Sequence, residues 1–296
     1  NQALSNNLDF IEGDIRDESL LIKVFEKYKA ANNSIQGVIH FAGAKSVNES
    51  VNNPIKFWDV NFSGTLTLVK IMSKFNCKKL VFSSSATVYG SKYKSSLTEE
   101  LLNSPINPYG NTKNSIEIML KDISKSDPSW DIISLRYFNP IGAHPSGLIG
   151  EKFDSKNNNL FPNLCKVAIE NDNSLEIYGH DWPTRDGTCI RDFIHVMDVA
   201  EGHINAINFL FNSKSFFNCI NLGTGRNTSI LDLITVFEKT NQVSIKYKFN
   251  NRRIGDAAVL VADVKLAKKF LNWESKRNLE DMCRDGWKWY LSNISK

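Results

Sequence analysis

Short apolar runs alternate along the chain with longer stretches in which apolar residues recur at helical spacing. The short runs predict buried strands at residues 8–11, 36–41, 79–83, 131–137 and 218–222. The helical spacing predicts helices at residues 18–31, 54–75, 109–125 and 198–211. Strands and helices that alternate in this way form a parallel sheet covered on both faces. The sequence therefore predicts an α/β fold with a doubly wound parallel sheet.

The alternation weakens between residues 144 and 187, where Lys156-Asn157-Asn158-Asn159 is the most loop-like segment. Further helices are predicted at residues 230–240, 264–271 and 279–291, with a strand at 243–249. We therefore expect a main domain formed by residues 1–143 and 188–225, and a smaller α/β lobe formed by residues 144–187 and 226–296.

Composition and charge disfavour several classes of protein. A chain of 296 residues with an apolar fraction of 42% can bury a substantial core. The net charge of +4 is small, and no basic run with interleaved aromatic residues is present, which disfavours nucleic-acid binding. No apolar stretch approaches the ~18 residues of a membrane span, and no signal peptide opens the chain, so we expect a cytoplasmic protein.

The cysteines and histidines predict neither disulfides nor a metal site. The five cysteines are scattered and never form a C-x-x-C pair, which is typical of reduced thiols. The five histidines lack metal-ligand spacing: His40 lies in an apolar run, and His195 lies within another.

A tyrosine and a lysine four residues apart are the first candidates for chemistry. Tyr109 and Lys113 stand at the start of a helical run and share one helix face, so the ammonium can lie beside the phenol. A fixed cation stabilises the phenolate and lowers the phenol pKa from its usual value of ~10. Tyr109 could then act as a general base toward an alcohol, while Ser85, which follows an apolar run, bonds the same hydroxyl.

Six short segments carry further characteristic residues. They follow one another in order over nearly the whole sequence. They are residues 12–16 (EGDIR), 38–45 (VIHFAGAK), 82–90 (FSSSATVYG), 108–113 (PYGNTK), 136–145 (RYFNPIGAHP), and 186–196, with DGT followed by RDFIHV. Together they resemble the extended short-chain dehydrogenase/reductase superfamily and, within it, the UDP-glucose 4-epimerase family. The resemblance implies a Rossmann-like main domain that binds NAD and a smaller lobe that binds a UDP-sugar. It implies interconversion of UDP-glucose and UDP-galactose through a 4-keto sugar.

The resemblance also implies a role for individual residues. Tyr109 would take the proton of the sugar C4 hydroxyl while hydride passes to the nicotinamide. Lys113, helped by the positive nicotinamide, would lower the phenol pKa, and Ser85 would orient the hydroxyl. NAD contacts would come from Asp14, Ile15, Phe41, Ala42, Gly43, Lys45, Asn61, Ser83, Tyr109, Lys113 and Phe138. UDP-sugar contacts would come from Ser85, Asn139, Asn159, Tyr178, Arg191, Arg253 and Asp256. A homodimer packed through the helices at residues 54–75 and 109–125 is a further expectation.

Two features depart from the family pattern. The glycine-rich turn that holds a dinucleotide pyrophosphate at a helix N-terminus is absent, and the runs at residues 8–11 and 36–41 would be the third and fourth strands of such a sheet. We therefore expect a fragment that lacks a βαβ portion of at least ~30 residues and binds NAD weakly or not at all. The second departure is Leu260, four residues after Asp256, where a branched aliphatic side chain would disfavour an N-acetylated sugar.

Three alternatives stay open on the sequence. A nucleotide-sugar 4,6-dehydratase shares the tyrosine and the lysine but needs an acid after the serine, where this chain has Ala86 and Thr87. A 4-epimerase that acts on another nucleotide sugar is compatible with the same residues. A non-catalytic nucleotide-sugar-binding protein is the third alternative, because a fold does not specify a function.

Overall fold

A parallel sheet lies at the centre of the chain, and smaller sheets and helices surround it. The structure, a computed structural model, describes residues 8–93, 96–152, 159–170, 173–253 and 256–293. Its strands are β1 (Val38–His40), β2 (Lys79–Ser85), β3 (Asp131–Tyr137), β4 (Asn139–Ile141), β5 (Leu175–Tyr178), β6 (Ile190–Arg191), β7 (Phe193–His195), β8 (Phe217–Leu222), β9 (Thr228–Ser229), β10 (Tyr247–Asn250) and β11 (Val259–Leu260).

Helices connect these strands. They are α1 (Glu18–Ala30), α2 (Val47–Asn52), α3 (Pro54–Phe57), a π-helical segment (Trp58–Ser63), α4 (Gly64–Lys74), a 3₁₀ turn (Ala86–Tyr89), α5 (Pro108–Ser126), α6 (Leu160–Glu170), α7 (Val196–Asn212), α8 (Ile230–Asn241), α9 (Lys265–Leu271) and α10 (Leu279–Asn293). Among the described residues, no helix is both long enough and apolar enough to cross a membrane.

The central sheet has the strand order β1-β2-β3-β8, and all of its pairs are parallel. Successive side chains of a strand point to opposite faces. Leu80 and Phe82 pack into a core formed with α1, α4 and α5, whereas Val81 packs into a second core formed with α7 and α9. Helices therefore cover both faces, which confirms the predicted doubly wound α/β fold.

A third core joins α6, α8 and α10 to strands outside the central sheet. Phe161 and Phe237 meet edge to face, with ring centroids 6.0 Å apart, and Leu175 of β5 is buried in the same core. Ile141 of β4 and Phe193 of β7 belong to it as well. Because β4 directly follows β3, the chain passes from the central sheet into this second packing unit within a few residues.

The strand predicted at residues 8–11 is wrong. The segment has no regular structure, and Leu8, Phe10 and Ile11 are exposed. A strand is stable when a neighbour pairs with its backbone groups, and within the described ranges no strand lies beside these residues or on the free side of β1. The apolar residues give this segment a propensity to form a strand. A strand also needs a neighbouring strand to pair with.

Other predictions were confirmed with changed boundaries. The strands expected at 36–41, 79–83, 131–137 and 218–222 are β1, β2, β3 and β8. The helix expected at 54–75 is divided by the π-helical segment, and the strand expected at 243–249 is the shorter β10. The sequence did not predict α2, α6 or β5, and residues 156–158 of the loop-like segment lie outside the described ranges.

Candidate active site

Tyr109 lies in the first turn of α5, at a helix start that local sequence specifies. The Asn107 side chain accepts a hydrogen bond from the Gly110 N–H over 2.8 Å, and Pro108 occupies the first helical position. A Cβ on Gly110 would lie 2.9 Å from Pro105 Cβ and 3.0 Å from the Thr87 carbonyl oxygen. The missing side chain thus lets the start of α5 approach the turn that follows β2.

Lys113 lies one turn further along α5, on the same face as Tyr109. Its Nζ donates to the Ser83 carbonyl over 2.8 Å and lies 5.8 Å from the centroid of the Tyr109 ring. The same Nζ lies 4.7 Å from the centroid of Phe82. The structure therefore brings the predicted tyrosine, lysine and Ser83 to one place at the carboxyl end of β2.

Burial has the largest effect on the pKa values of both Tyr109 and Lys113. It raises the pKa of the Tyr109 phenol, Tyr137 adds to this, and a hydrogen bond with Ser85 opposes it. Burial also lowers the pKa of Lys113 to about 8, against the raising effect of the Glu117 carboxylate. The sequence predicts that Lys113 and the positive nicotinamide together lower the phenol pKa. In the free protein the direction is the opposite, because removing the phenol from water disfavours its anion more than the Ser85 hydrogen bond favours it.

Ser85 closes β2 and caps the 3₁₀ turn that follows. Its Oγ accepts hydrogen bonds from Thr87 N–H over 3.3 Å and from Thr87 Oγ1 over 3.0 Å. Ser85 is buried and interacts with the Tyr109 phenol. The two residues that the sequence paired across 24 positions are therefore neighbours.

The loop after β1 contains several predicted cofactor residues, and Asn61 of the π-helical segment holds it in place. Asn61 Oδ1 accepts from Ala44 N–H over 2.7 Å, and its Nδ2 donates to Ala44 O over 3.1 Å and to Thr112 Oγ1 over 3.2 Å. A Cβ on Gly43 would lie 3.0 Å from Asn61 Oδ1 and 3.8 Å from Lys113 Nζ. The Gly43 backbone is therefore close to the lysine.

Further predicted cofactor residues lie around this loop and on neighbouring elements. Phe41 is exposed and stacks beside His203, with ring centroids 4.4 Å apart, whereas Phe138 is buried near Tyr89. Ala42 directly precedes Gly43 and is exposed. His203 Nε2 in turn bonds the Ser83 hydroxyl over 2.9 Å, with Nδ1 directed at a backbone carbonyl.

Asp14 and Ile15 lie before α1, beside the π-helical segment and α4. Arg16 donates to the Asp14 carboxylate and lowers its pKa to about 2, and Arg16 also pairs with Asp59 over 2.5 Å. Ile15 packs against Gly64, where a Cβ would lie 2.6 Å from Ile15 Cδ1. Asp14 remains about half exposed, so its carboxylate is accessible to a ligand.

A cleft of about 1370 Å³ brings together the predicted UDP-sugar residues other than Ser85. These residues are Asn139, Asn159, Tyr178, Arg191, Arg253 and Asp256, and the predicted cofactor residue Lys45 lines the same cleft. The Arg253 guanidinium lies over the Tyr178 ring, 3.6 Å from its centroid. Arg191 Nη1 donates to the Ala257 carbonyl over 2.8 Å, and its Nη2 lies 3.8 Å from Asp256.

Sequence reasoning missed two carboxylates that organise these groups. Glu151 bonds Lys45 Nζ over 2.5 Å and Asn159 Nδ2 over 3.2 Å, so it joins the loop after β1 to the cleft. Glu117 lies four residues after Lys113 on the same helix face, and that spacing was a signal that could have identified it. The position of Glu151 had no such local signal, because Asn159 follows it by 8 residues across a segment whose sequence pattern predicts a loop, and Lys45 lies 106 residues before it.

The described residues contain no group of three or more His, Cys, Asp or Glu side chains placed to hold a metal ion. The five cysteines are free. The site is thus built from a buried phenol, an ammonium, hydroxyls and a cleft with two arginines.

Known proteins match this chain along most of its length. The family model described as GDP-mannose 4,6 dehydratase matches residues 1–286. A UDP-glucose 4-epimerase of Pisum sativum is 48% identical over 291 residues, which is 98% of this chain and 82% of that protein. A UDP-glucose 4-epimerase of Bacillus subtilis (strain 168) is 46% identical over 294 residues, covering 99% of this chain and 85% of that protein.

Solved structures show the same similarity in three dimensions. UDP-glucose 4-epimerase from Stenotrophomonas maltophila, crystallised with NAD and formylated UDP-arabinopyranose, is 41% identical with a TM-score of 0.91. The match covers 96% of this chain and 82% of that one. The enzyme from Bifidobacterium longum, in complex with NAD+ and UDP, is 44% identical with a TM-score of 0.88 and covers 96% of this chain and 83% of that one.

Proposed function

The chain belongs to the GDP-mannose 4,6 dehydratase family and, within it, to the UDP-glucose 4-epimerases, and from this premise we propose that it interconverts UDP-glucose and UDP-galactose with NAD. The observation that carries the proposal is the cluster of Tyr109, Lys113 and Ser85 at the end of β2. Such a cluster can remove and return the proton of a sugar hydroxyl. The reaction belongs to galactose metabolism.

The residues present fit a dinucleotide beside this cluster. At Gly43 a side chain would meet Asn61 and approach Lys113, so the bare backbone leaves room for a ligand near the ammonium. We assign NAD contacts to Asp14, Ile15, Phe41, Ala42, Gly43, Lys45, Asn61, Ser83, Tyr109, Lys113 and Phe138. When bound, oxidised NAD supplies a hydride acceptor and a positive charge. That charge favours the phenolate, which burial alone disfavours.

The protein's own groups then handle the proton. Tyr109 accepts the proton of the sugar C4 hydroxyl and later returns it to the oxygen of the 4-keto intermediate. Ser85 bonds the same oxygen and holds it at the phenol. Lys113 places a positive charge near the phenol and is itself oriented by the Ser83 carbonyl.

The cleft supplies the site for the UDP part of the substrate. Arg191 and Arg253 provide two guanidinium groups for a diphosphate, and Asn139 and Asn159 provide amides for hydroxyl groups. We further propose that residues 1–143 and 188–225 form the NAD-binding domain, and that residues 144–187 and 226–296 form the UDP-sugar lobe.

A dehydratase reaction receives less support from the same site. Loss of the C6 hydroxyl needs an acid next to the serine, and the two residues that follow Ser85 are Ala86 and Thr87. Thr87 directs its hydroxyl to Ser85. The described cluster therefore favours epimerisation.

We also propose a cytoplasmic homodimer. Large apolar side chains are exposed on the two helical segments that the family resemblance assigns to a dimer contact: Ile55, Trp58 and Ile118. Phe62 of the π-helical segment and Met119 of α5 line a shallow groove beside Ile118. Covering such a surface with a second copy would remove it from water.

Replacing Tyr109 by phenylalanine tests the reaction. Tyr109→Phe should lower the rate of UDP-glucose to UDP-galactose interconversion, measured with saturating NAD, by about 100-fold or more, because the variant lacks the phenol that moves the proton. Tyr247→Phe removes an exposed phenol on β10 and is the matched control. Turnover by Tyr109→Phe at the wild-type rate would exclude Tyr109 as the base. A wild-type chain that binds NAD but does not interconvert the two UDP-sugars would argue against the proposed function.

A further inference from the structure

Two consecutive arginines lie on two different aromatic rings at one edge of the cleft. The Arg253 guanidinium lies 3.6 Å from the centroid of the Tyr178 ring, and the Arg252 guanidinium lies 4.2 Å from the centroid of the Trp182 ring. Tyr178 and Arg253 line the cleft, whereas Trp182 and Arg252 are not among the residues that line it. The first pair therefore faces a bound ligand, and the second pair lies outside the cleft.

The pairing of β5 with β10 brings these segments together. Tyr178 and Asn250 end the two strands and stand opposite each other in the parallel register. The Gly179 N–H donates to the Asn250 carbonyl over 2.8 Å, so the two chain segments remain side by side where the strands end. The residues that follow, Trp182 on one segment and Arg252 on the other, can therefore meet.

Gly179 makes room for the Trp182 indole. Its φ is +85°, and a Cβ at this position would collide with the indole and would lie 3.0 Å from Arg252 Cγ. Trp182 Nε1 donates to the Tyr178 carbonyl over 3.2 Å. The indole is thus held against the backbone after β5 and offers its ring to Arg252.

Asp181 holds the Arg252 guanidinium along its edge. Arg252 Nε donates to Asp181 Oδ1 over 2.8 Å, and Arg252 Nη2 donates to the Asp181 backbone carbonyl. A planar guanidinium can make such bonds while its face lies on a ring, which an ammonium cannot do. The two side chains are 40% and 63% exposed, and an exposed ion pair contributes little to the stability of a whole protein. These contacts therefore fix the local course of the segment that follows β10.

We propose that Arg252 is a positioning residue for Arg253. Its contacts with Trp182 and Asp181 anchor the segment and keep the Arg253 guanidinium facing the cleft. A cation that is already held in place loses less freedom when a diphosphate binds. The inference rests on the proposed function, which assigns Arg253 to the diphosphate of the UDP-sugar. Arg252 acts through Arg253 and not on the substrate.

Substitutions at Arg252 and Trp182 separate position from charge. Arg252→Lys keeps the positive charge but loses the planar guanidinium, and Trp182→Leu removes the ring without changing any charge. Arg226→Lys is the matched control, because Arg226 is exposed between β8 and β9 and is not among the residues that line the cleft. A cooperative thermal transition shows that each variant is folded.

The first measurement is the affinity for UDP by calorimetric titration, which needs neither NAD nor turnover. Arg252→Lys and Trp182→Leu should each weaken UDP binding by about fivefold. The double variant should bind UDP about as well as either single variant, because both substitutions remove the same contact. Arg226→Lys should bind UDP like the unsubstituted chain.

The second measurement distinguishes positioning of Arg253 from a general disturbance of the cleft. In an Arg253→Met background, Arg252→Lys should no longer change the UDP affinity, because the guanidinium that it positions is gone. Uridine has no diphosphate, so Arg252→Lys and the unsubstituted chain should bind it equally in an NMR titration.

Equal UDP affinity of Arg252→Lys and the unsubstituted chain would overturn the inference and leave the proposed function standing. A loss of uridine affinity as large as the loss of UDP affinity would overturn it as well. If Arg252→Lys weakens UDP binding as expected but the NAD-bound wild type does not interconvert the two UDP-sugars, the proposed function fails while the role of Arg252 stands. A wild-type chain that binds no UDP would overturn both.

Discussion

At Lys113, charge and burial act against each other. Burial lowers the pKa of the ammonium to about 8, and the carboxylate of Glu117 opposes that effect. Glu117 is itself buried, accepts hydrogen bonds from Arg136 over 2.9 and 2.6 Å, and accepts another from Ser84 over 2.6 Å. A buried ion pair one turn away from the site therefore helps to keep a positive charge near Tyr109.

Replacing Lys113 by methionine should change how stability depends on pH. The pKa of Lys113 lies below the 10.5 of an ordinary lysine, so the unfolded chain holds this proton more tightly than the folded chain does between those values. The compared quantity is the free energy of unfolding of the wild type minus that of Lys113→Met. This difference should be lowest below pH 8 and should rise as the pH increases to 10.5. The rise should be no more than about 3 kcal/mol.

Urea unfolding at about pH 7 and about pH 10 measures this difference. Lys121→Met, which removes an exposed lysine from the same helix, is the control and should show no such rise. A constant difference between wild type and Lys113→Met at both pH values would contradict the assigned pKa direction.

At the scale of elements, the π-helical segment Trp58–Ser63 explains how the loop after β1 is held. A π-helical turn changes the direction in which side chains leave a helix, and such segments are frequent at functional sites. Here the buried Asn61 bonds both backbone groups of Ala44 and the Thr112 hydroxyl of α5. One side chain thus joins the loop that contains Gly43 to the helix that carries Tyr109.

Replacing Asn61 by leucine should loosen this loop. The Ala44 N–H and C=O would lose their partners, which we expect to destabilise the protein by about 2 kcal/mol or more. NAD affinity, measured by calorimetric titration, should fall at the same time. Asn212→Leu, at the exposed end of α7, serves as the control for stability and binding. Wild-type NAD affinity in a folded Asn61→Leu protein would show that the loop does not depend on Asn61.

At the scale of the whole molecule, large apolar residues are exposed on several elements, and some of them lie on the helical segments of the proposed dimer contact. Ile118 of α5 is 54% exposed, and Ile55 of α3 is 80% exposed. Both lie on the helical segments that we assign to the homodimer. The central sheet and its helices bury apolar residues on both faces without the help of this surface.

Charge placed on this surface should prevent dimer formation. Ile118→Lys should shift the protein toward the monomer in sedimentation measurements, because burying an unpaired ammonium in an apolar contact is costly. Ile204→Lys is a matched control, since Ile204 of α7 is also 54% exposed but lies outside the proposed contact. Equal association of both variants and the wild type would place the interface elsewhere.

Much of the fold could be predicted because short-range patterns encode it. The apolar runs of β2, β3 and β8 and the helical spacing of α5 and α7 depend on neighbours within a few residues, and the structure confirms them. The 8–11 segment has the same apolar pattern, but no strand lies beside it within the described ranges, so it does not form a strand. The π-helical segment likewise has no distinct period that a sequence pattern reveals.

The site shows the same division. The order of residues specifies which groups are available: a phenol and an ammonium one helical turn apart, a serine after an apolar strand, and two arginines far apart in the chain. Chain packing then places residues from 139 to 256 around one cleft, brings the Thr87 hydroxyl to Ser85, and raises the Tyr109 pKa through burial. Spacing along a helix is a local property, whereas burial and contacts between distant segments depend on how the whole chain packs.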